Sequence, residues 1–359
     1  MPSTVTDYFR IQNADLFKRL VSSSITDTIY IALGRHLPWA IDSEPPFPDD
    51  NDEEILYRRW DRFLAAAKVI EADVQLSVSR INWTANTVYD QYDATDTQLS
   101  NKSFYVLNSE NRVYKVLDNN GGAQSTAEPT GAPDTSFQTA DGYTWQYMYT
   151  IDAGTAAKFL NPQFMPVLAD SSVQAAAESS TNDIYNEPIE GHGFNPTEEL
   201  RAFFAQVSVQ VGSGSSSDLF IDNEYREISL LSNPRDTSDN IATNQFYDLL
   251  TNATVSNISG TFQPDEILVD QNAGTSTQAR VIQFDDINSV VRYKLDDPND
   301  DFAVGAVLEG STSGATATVD SIDSPDLKLY SGRIIVSENR PQVNRAENQT
   351  ETLTTVLEF

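Results

Sequence analysis

Carboxylates are the one chemistry-bearing group this chain holds in quantity: 53 Asp plus Glu stand against two His and no Cys. A pair of acids does glycosidase work only at a set separation in space, and among so many acids the spacing singles out no pair. The run Asp296-Asp297-Pro298-Asn299-Asp300-Asp301 superficially resembles a calcium loop, with Asp297, Asn299 and Asp301 at its first, third and fifth positions. Its sixth position is Phe302, where the turn needs Gly, and its twelfth is Leu308, where a bidentate Glu is required, so the EF-hand reading fails. His36, in Gly-Arg-His-Leu-Pro-Trp, and His192, between two glycines, read as loop histidines rather than bases. Gly212-Ser213-Gly214-Ser215 lacks the Lys and the metal-binding hydroxyl of a phosphate loop, and there is no Gly-x-Ser-x-Gly elbow. Without Cys there is no thiolate nucleophile, no disulfide framework and no Cys-ligated metal. The sequence therefore nominates no catalytic residue, no metal ligand and no cofactor site.

What remains is surface. Arg35, Trp39 and Phe47 sit on a stretch from Gly34 to Asp52 that carries Pro38, Pro45, Pro46 and Pro48, an extended loop with few regular hydrogen bonds. Asp52, Glu53 and Glu54 open a predicted helix, acidic at its start as the dipole prefers. Leu56, Trp60, Phe63, Leu64 and Ala67 line one side of it, and Arg58, Arg59 and Arg62 fall largely on the other. Tyr, Trp and Arg anchors dominate protein–protein contacts, so Arg35, Trp39, Phe47, Arg58, Arg59 and Arg62 are the candidate partner-binding residues. Trp60 and Trp83 are further aromatic anchors, and intramolecular packing is the competing reading for each ring.

The elements that must position them are mostly strands. Asn13 is read as the cap of a first helix, with Leu16, Phe17, Leu20 and Val21 at helical spacing. Thr28–Leu33 is a strand closed by Gly34, and from Asp73 the pattern turns to period two: Val74, Leu76 and Val78, then Phe104–Leu107 and Arg112–Leu117. Asn119–Gly142 is a long polar loop of the kind that is functional or mobile. Tyr143–Ile151 follows as an aromatic strand, with Tyr143, Trp145, Tyr147 and Tyr149 on one face and Thr144 and Gln146 on the other. The polar stretch Ala169–Glu199 reads as an internal linker or surface excursion. Ala202–Val211, Tyr225–Leu231, Leu329–Val336 and Thr350–Phe359 are further strands. One repeat is visible: Phe262, Ile267, Leu268 and Gly274 recur as Phe302, Val307, Leu308 and Gly314, and Ala279 and Val281 as Ala317 and Val319. Two copies of a hairpin bury little alone but together close a small barrel or sandwich.

Composition bounds the class. In 359 residues, 23 Lys plus Arg leave a net charge of −30. That argues against nucleic acid, whose affinity comes from Lys and Arg releasing counterions, and fits basic partners. No apolar run reaches a membrane span, and MPSTVTDYFR has no signal-peptide pattern, so no membrane insertion is expected. The expected domains are a main β region over 1–254 with N-terminal helices, an inserted β-module over 255–328, and strands over 329–359 that return to the main region.

Five blocks carry a family resemblance. TIYIALGRHLPW (28–39) followed by Pro45-Pro46-Phe47-Pro48 resembles the N-terminal signature of the T4-type bacteriophage baseplate wedge protein, gene product eight. DGYTWQY (141–147) resembles that family's aromatic strand, YREISLLSNP (225–234) and SGRIIVSENRP (331–341) its later strands, and 348–359 its closing strand. The blocks come in the family's order and span nearly the whole chain, with 255–328 outside the shared pattern. The resemblance implies a mainly β fold with a jelly-roll-like β-sandwich and helical additions. It further implies a homodimer without an active site, docked to other wedge and peripheral baseplate proteins in the virion's contractile tail and assembled in the host cytoplasm. The alternatives are a carbohydrate-binding tail adhesin, with Tyr143 and Trp145 stacking on sugar rings, and a polysaccharide-degrading enzyme using an acid pair.

Overall fold

The computed structural model describes residues 5–22, 27–48, 58–179, 195–211, 224–271, 277–343 and 350–359. It is mainly β, with strands numbered here along the chain. The chain divides into two compact units, one of 1–22, 71–208 and 354–359, the other of 23–70 and 209–353.

The first unit holds two four-stranded antiparallel sheets. One has the order β19-β9-β3-β8, from Glu351–Glu358, Phe204–Val211, Val74–Ser79 and Phe164–Pro166. The other has the order β4-β5-β7-β6, from Tyr105–Leu107, Arg112–Asp118, Thr144–Thr150 and Phe137–Gln138. Helix α1 runs over Asp7–Ser22 and buries Ile11, Ala14, Phe17 and Val21 at helical spacing. Asn13 is therefore interior to the helix. Thr6 opens it, its hydroxyl accepting the Phe9 amide at 3.3 Å, and Leu16 faces outward. Short helices α2 (Ala153–Phe159), α3 (Ser171–Ser179) and α4 (Pro196–Glu199) fill connections. Asp152 and Asn195 cap α2 and α4 by accepting the Thr155 and Thr197 amides.

Strand β7 departs from the expected one-sided pattern. Tyr143, Trp145, Tyr147 and Tyr149 are buried, and so are Gln146 and Met148. Both faces are covered, and Tyr143 stacks on Trp145 with ring centroids 5.4 Å apart. The rings that an adhesin would offer to a sugar are spent on the core. The long loop before β7 is pinned by one carboxylate. Asp141 accepts the Thr126 and Ala127 amides at 2.7 and 2.9 Å and the Ser125 hydroxyl at 3.1 Å.

The second unit contains a five-stranded antiparallel sheet of order β11-β2-β1-β10-β18. Its strands are Phe246–Asp248, Phe63–Val69, Ile29–Gly34, Tyr225–Ser232 and Arg333–Val343. Phe63, Leu64 and Ala67 are thus on a strand, not on a continued helix; only Arg58–Trp60 is helical among the described residues there. The Ala-rich segment has a high helical propensity, but β2 lies between β1 and β11. There Ala66 shares one buried cluster with Tyr30, Trp60, Phe63 and Tyr247, so its small side chains make room for rings and tertiary packing overrides propensity. The predicted helix start at Asp52–Glu54, residues 180–194 of the Ala169–Glu199 stretch (His192 among them), the 212–215 turn and Gly274 lie outside the described residues.

The repeat closes a six-stranded barrel of order β12-β15-β14-β13-β16-β17. Its strands are Thr251–Ser259, Val290–Leu295, Gln278–Asp285, Ile267–Asp270, Val307–Gly310 and Thr316–Asp323. The register has an approximate two-fold relation. Leu268 pairs with Gly310 and Asp270 with Leu308, so each strand of the pair meets its own copy head to tail. β15 completes the first copy beside β14, and β12, which precedes both copies, takes the corresponding place beside β17. Alternating small and large residues fill the inside, among them Ala253, Leu268, Val281, Tyr293, Leu308 and Val319. The repeated Phe302 plugs one side, its ring 5.5 Å from that of Tyr293.

Candidate functional site

The proline-rich segment after β1 forms a strap across the five-stranded sheet's unit, and its inner side is tied down by charge. Gly34 ends β1 where a side chain would collide: a Cβ there would lie 3.0 Å from Glu227 Oε2. Glu227 projects from β10, only 1% exposed, and an isolated carboxylate so deep would be costly. It accepts a hydrogen bond from Arg59 Nη1 at 3.1 Å, and Arg62 Nε lies 3.3 Å from its other oxygen. Arg59, 3% exposed, also donates to Asn339 Oδ1 at 3.3 Å, and Asn339 Nδ2 donates to the Pro46 carbonyl at 2.9 Å. One buried acid on a strand thus organises two arginines and, through Asn339, the far end of the strap.

A second anchor lies beside it. Arg226 Nε donates to Asp42 Oδ1 at 3.0 Å, its Nη2 reaches Gln342 Oε1 at 3.0 Å, and its Nη1 pairs with Glu224. The Arg226 hydrogen bond is the main reason the Asp42 carboxyl sits below the usual carboxylate range. Trp39 donates its indole N–H to the Arg340 carbonyl at 2.9 Å and stacks on His36, rings 3.9 Å apart and 15° from parallel. Burial lowers the His36 pKa, so the imidazole is neutral at pH 7. Arg35 points inward to Asp265 at 2.7 Å and Glu224 at 3.7 Å.

The outer side of the strap is different. Phe47 is 97% exposed, Ile41 59% and Leu37 53%. Three large apolar side chains therefore stand in water on a segment whose inner side is held by ion pairs, an indole bond and a backbone carbonyl. A segment already ordered within its own chain loses little further freedom on docking.

The six residues nominated from sequence divide cleanly. Phe47 and Arg58 are exposed; Arg62 is half-buried. Arg35, Trp39 and Arg59 are engaged inside the unit, where their bonds hold the strap. Sequence reasoning missed Leu37 and Ile41 as exposed apolar groups, and missed Arg226, Glu227 and Asp42 as the anchors. A signal for the anchors existed: Arg226 and Glu227 interrupt the otherwise apolar strand YREISLL, and buried charges demand partners.

Among the described residues no group of three or more His, Asp or Glu side chains is arranged to hold a metal ion, and no helix is long and apolar enough to cross a membrane. Compared with known proteins, the chain matches no family model and no curated protein.

Proposed function

We propose that this protein is a structural subunit of a contractile-tail phage baseplate wedge. In this reading it makes and breaks no covalent bond, and it joins neighbouring wedge and peripheral baseplate proteins, and a second copy of itself, by surface fit. The observation that carries the reading is the strap: Leu37, Ile41 and Phe47 held outward on a segment braced from behind. Large apolar side chains held in water on an ordered segment are candidate docking anchors. The order of the five sequence blocks that resemble the gene product eight family supports the same reading, and the first of those blocks covers both ends of the strap, Leu37 and Phe47 included.

The two four-stranded sheets of the first unit are the elements from which a jelly-roll-like sandwich would be built. The net charge of −30 favours basic partners and speeds encounter with them more than it adds affinity. Location in the virion's tail baseplate, after assembly in the host cytoplasm, follows from the role. The test is to measure the mass of the purified chain in solution and its co-assembly with the other wedge proteins of the same particle. A dimer that enters wedge complexes is the expected result; a strict monomer that joins no wedge protein would count against the role.

A further inference from the structure

A cleft of about 250 Å³ opens beside the strap's first residues, lined in part by Arg35, Arg62, Arg280 and Lys294. Four cations in one cleft are a marked local excess in a chain whose acids outnumber its bases by 53 to 23. Three of them are engaged: Arg35 with Asp265, Arg62 beside Glu227, and Arg280 Nη1 donating to the Asp265 carbonyl at 2.8 Å. Lys294 differs. Among the described residues no hydrogen bond or ion pair reaches its ammonium, and the carboxylates that favour its charged form, Asp248 and Asp61, act on it through their fields. It also stands directly opposite Arg280 on the neighbouring barrel strand. Like charges in that position repel. Burial, a separate effect, pushes the Lys294 amine down to about 8.

We propose that this cleft binds a carboxylate, received between Lys294 and Arg280. An anion there would supply the partner that Lys294 lacks and would turn a repulsive cross-strand pair into a shared site. Arg35 and Arg62 are already balanced by Glu224, Asp265 and Glu227, and Asp61 and Asp296 also line the cleft, so the pair left to receive an anion is Lys294 and Arg280, and a small single charge suits it best. A phosphate dianion would meet more repulsion from the acids that share the cleft, whereas an arginine fork beside a lysine matches a carboxylate. Because Leu37 lines the same cleft, an acidic side chain of a docked protein is the natural source. The assignment rests on the cleft alone and stands or falls separately from the wedge role.

The experiment reads Lys294 itself. The full chain is labelled with limiting acetic anhydride at pH 8, and each lysine's modification is followed by peptide mass, with Lys328 as the internal control. Sodium acetate and a tri-aspartate peptide are the probes, against sodium chloride and inorganic phosphate at matched ionic strength. Both carboxylate probes should protect Lys294 and leave Lys328 unchanged. Arg280→Gln should weaken that protection by roughly tenfold or more, the loss of one charge-assisted contact. A peptide that protects far better than acetate assigns the source to a protein partner, and equal protection per carboxylate assigns it to a small acid; both outcomes bear out the carboxylate site. No protection, equal protection by chloride, stronger protection by phosphate, or protection indifferent to Arg280→Gln would each overturn it.

Discussion

The barrel and the five-stranded sheet belong to one compact unit, yet they are held by opposite means. The barrel closes on itself, leaves no open edge, and fills its inside with apolar side chains drawn from every strand. The sheet also has an apolar cluster, but its working side is organised by Glu227 and Arg226, buried charges on a central strand. A closed ring needs only volume and pattern. A surface that must hold an irregular, proline-rich segment in one conformation needs directional bonds, and here those bonds are ionic. Hydrophobic burial gives stability without direction; a buried ion pair gives direction at a cost in desolvation.

The largest effect should come from breaking the ionic side. Glu227→Gln leaves Arg59 buried without its charge partner, and removal of one member of such a pair costs about 3–5 kcal/mol. Urea unfolding should show that loss, and hydrogen exchange should show the strap's amides released. A loss below about 1 kcal/mol, with the strap still protected, would mean that the pair is incidental. Leu308→Ala tests the apolar side. A fully buried leucine inside a packed barrel costs about 2–5 kcal/mol when truncated, and this loss should leave exchange in the strap unchanged at denaturant concentrations where the protein is still folded. If the strap loosens as well, the two regions do not differ as described.

A smaller effect distinguishes a third way of holding irregular chain, the loop pinned by Asp141. Burial pushes that carboxyl up, but hydrogen bonds from Thr139, Ala127, Thr126 and Ser125 outweigh it and hold it down at about 2. A carboxyl depressed on folding adds stability that is present above its unfolded value and is lost as pH falls through the folded one. Stability should therefore drop as pH falls from about 4 to about 2, and Asp141→Asn should remove that part of the slope. An unchanged slope in the variant would place the acid sensitivity elsewhere.

The same contrast explains what was legible in the sequence. Period-two strands, the duplicated hairpin and the closing strand could be read because each pattern is local. The barrel's closure was half-legible: the repeat announced two hairpins, but β12 and β15, which complete the ring, carry no repeat signature. The alanines of β2 misled because their propensity is helical, while the role of Ala66, packing beside Tyr30 and Tyr247, depends on strands far along the chain. The anchors were hardest to see. Arg59 and Glu227 are 168 residues apart and Arg35 and Asp265 are 230 apart, so nothing nearby names the partner. An arginine cluster could be read as surface or as core, and the structure assigns Arg58 to the first and Arg59 to the second.

The central claim is that a strap braced from within docks through its outer apolar side chains. Its most direct test is co-assembly with the wedge proteins that the proposed role names as partners, measured side by side for the wild type and Phe47→Asp. Phe47 is almost wholly in water in the isolated chain, so the variant should keep its unfolding midpoint within about 0.5 kcal/mol while its entry into wedge complexes collapses. Undiminished assembly by the folded variant would contradict the claim.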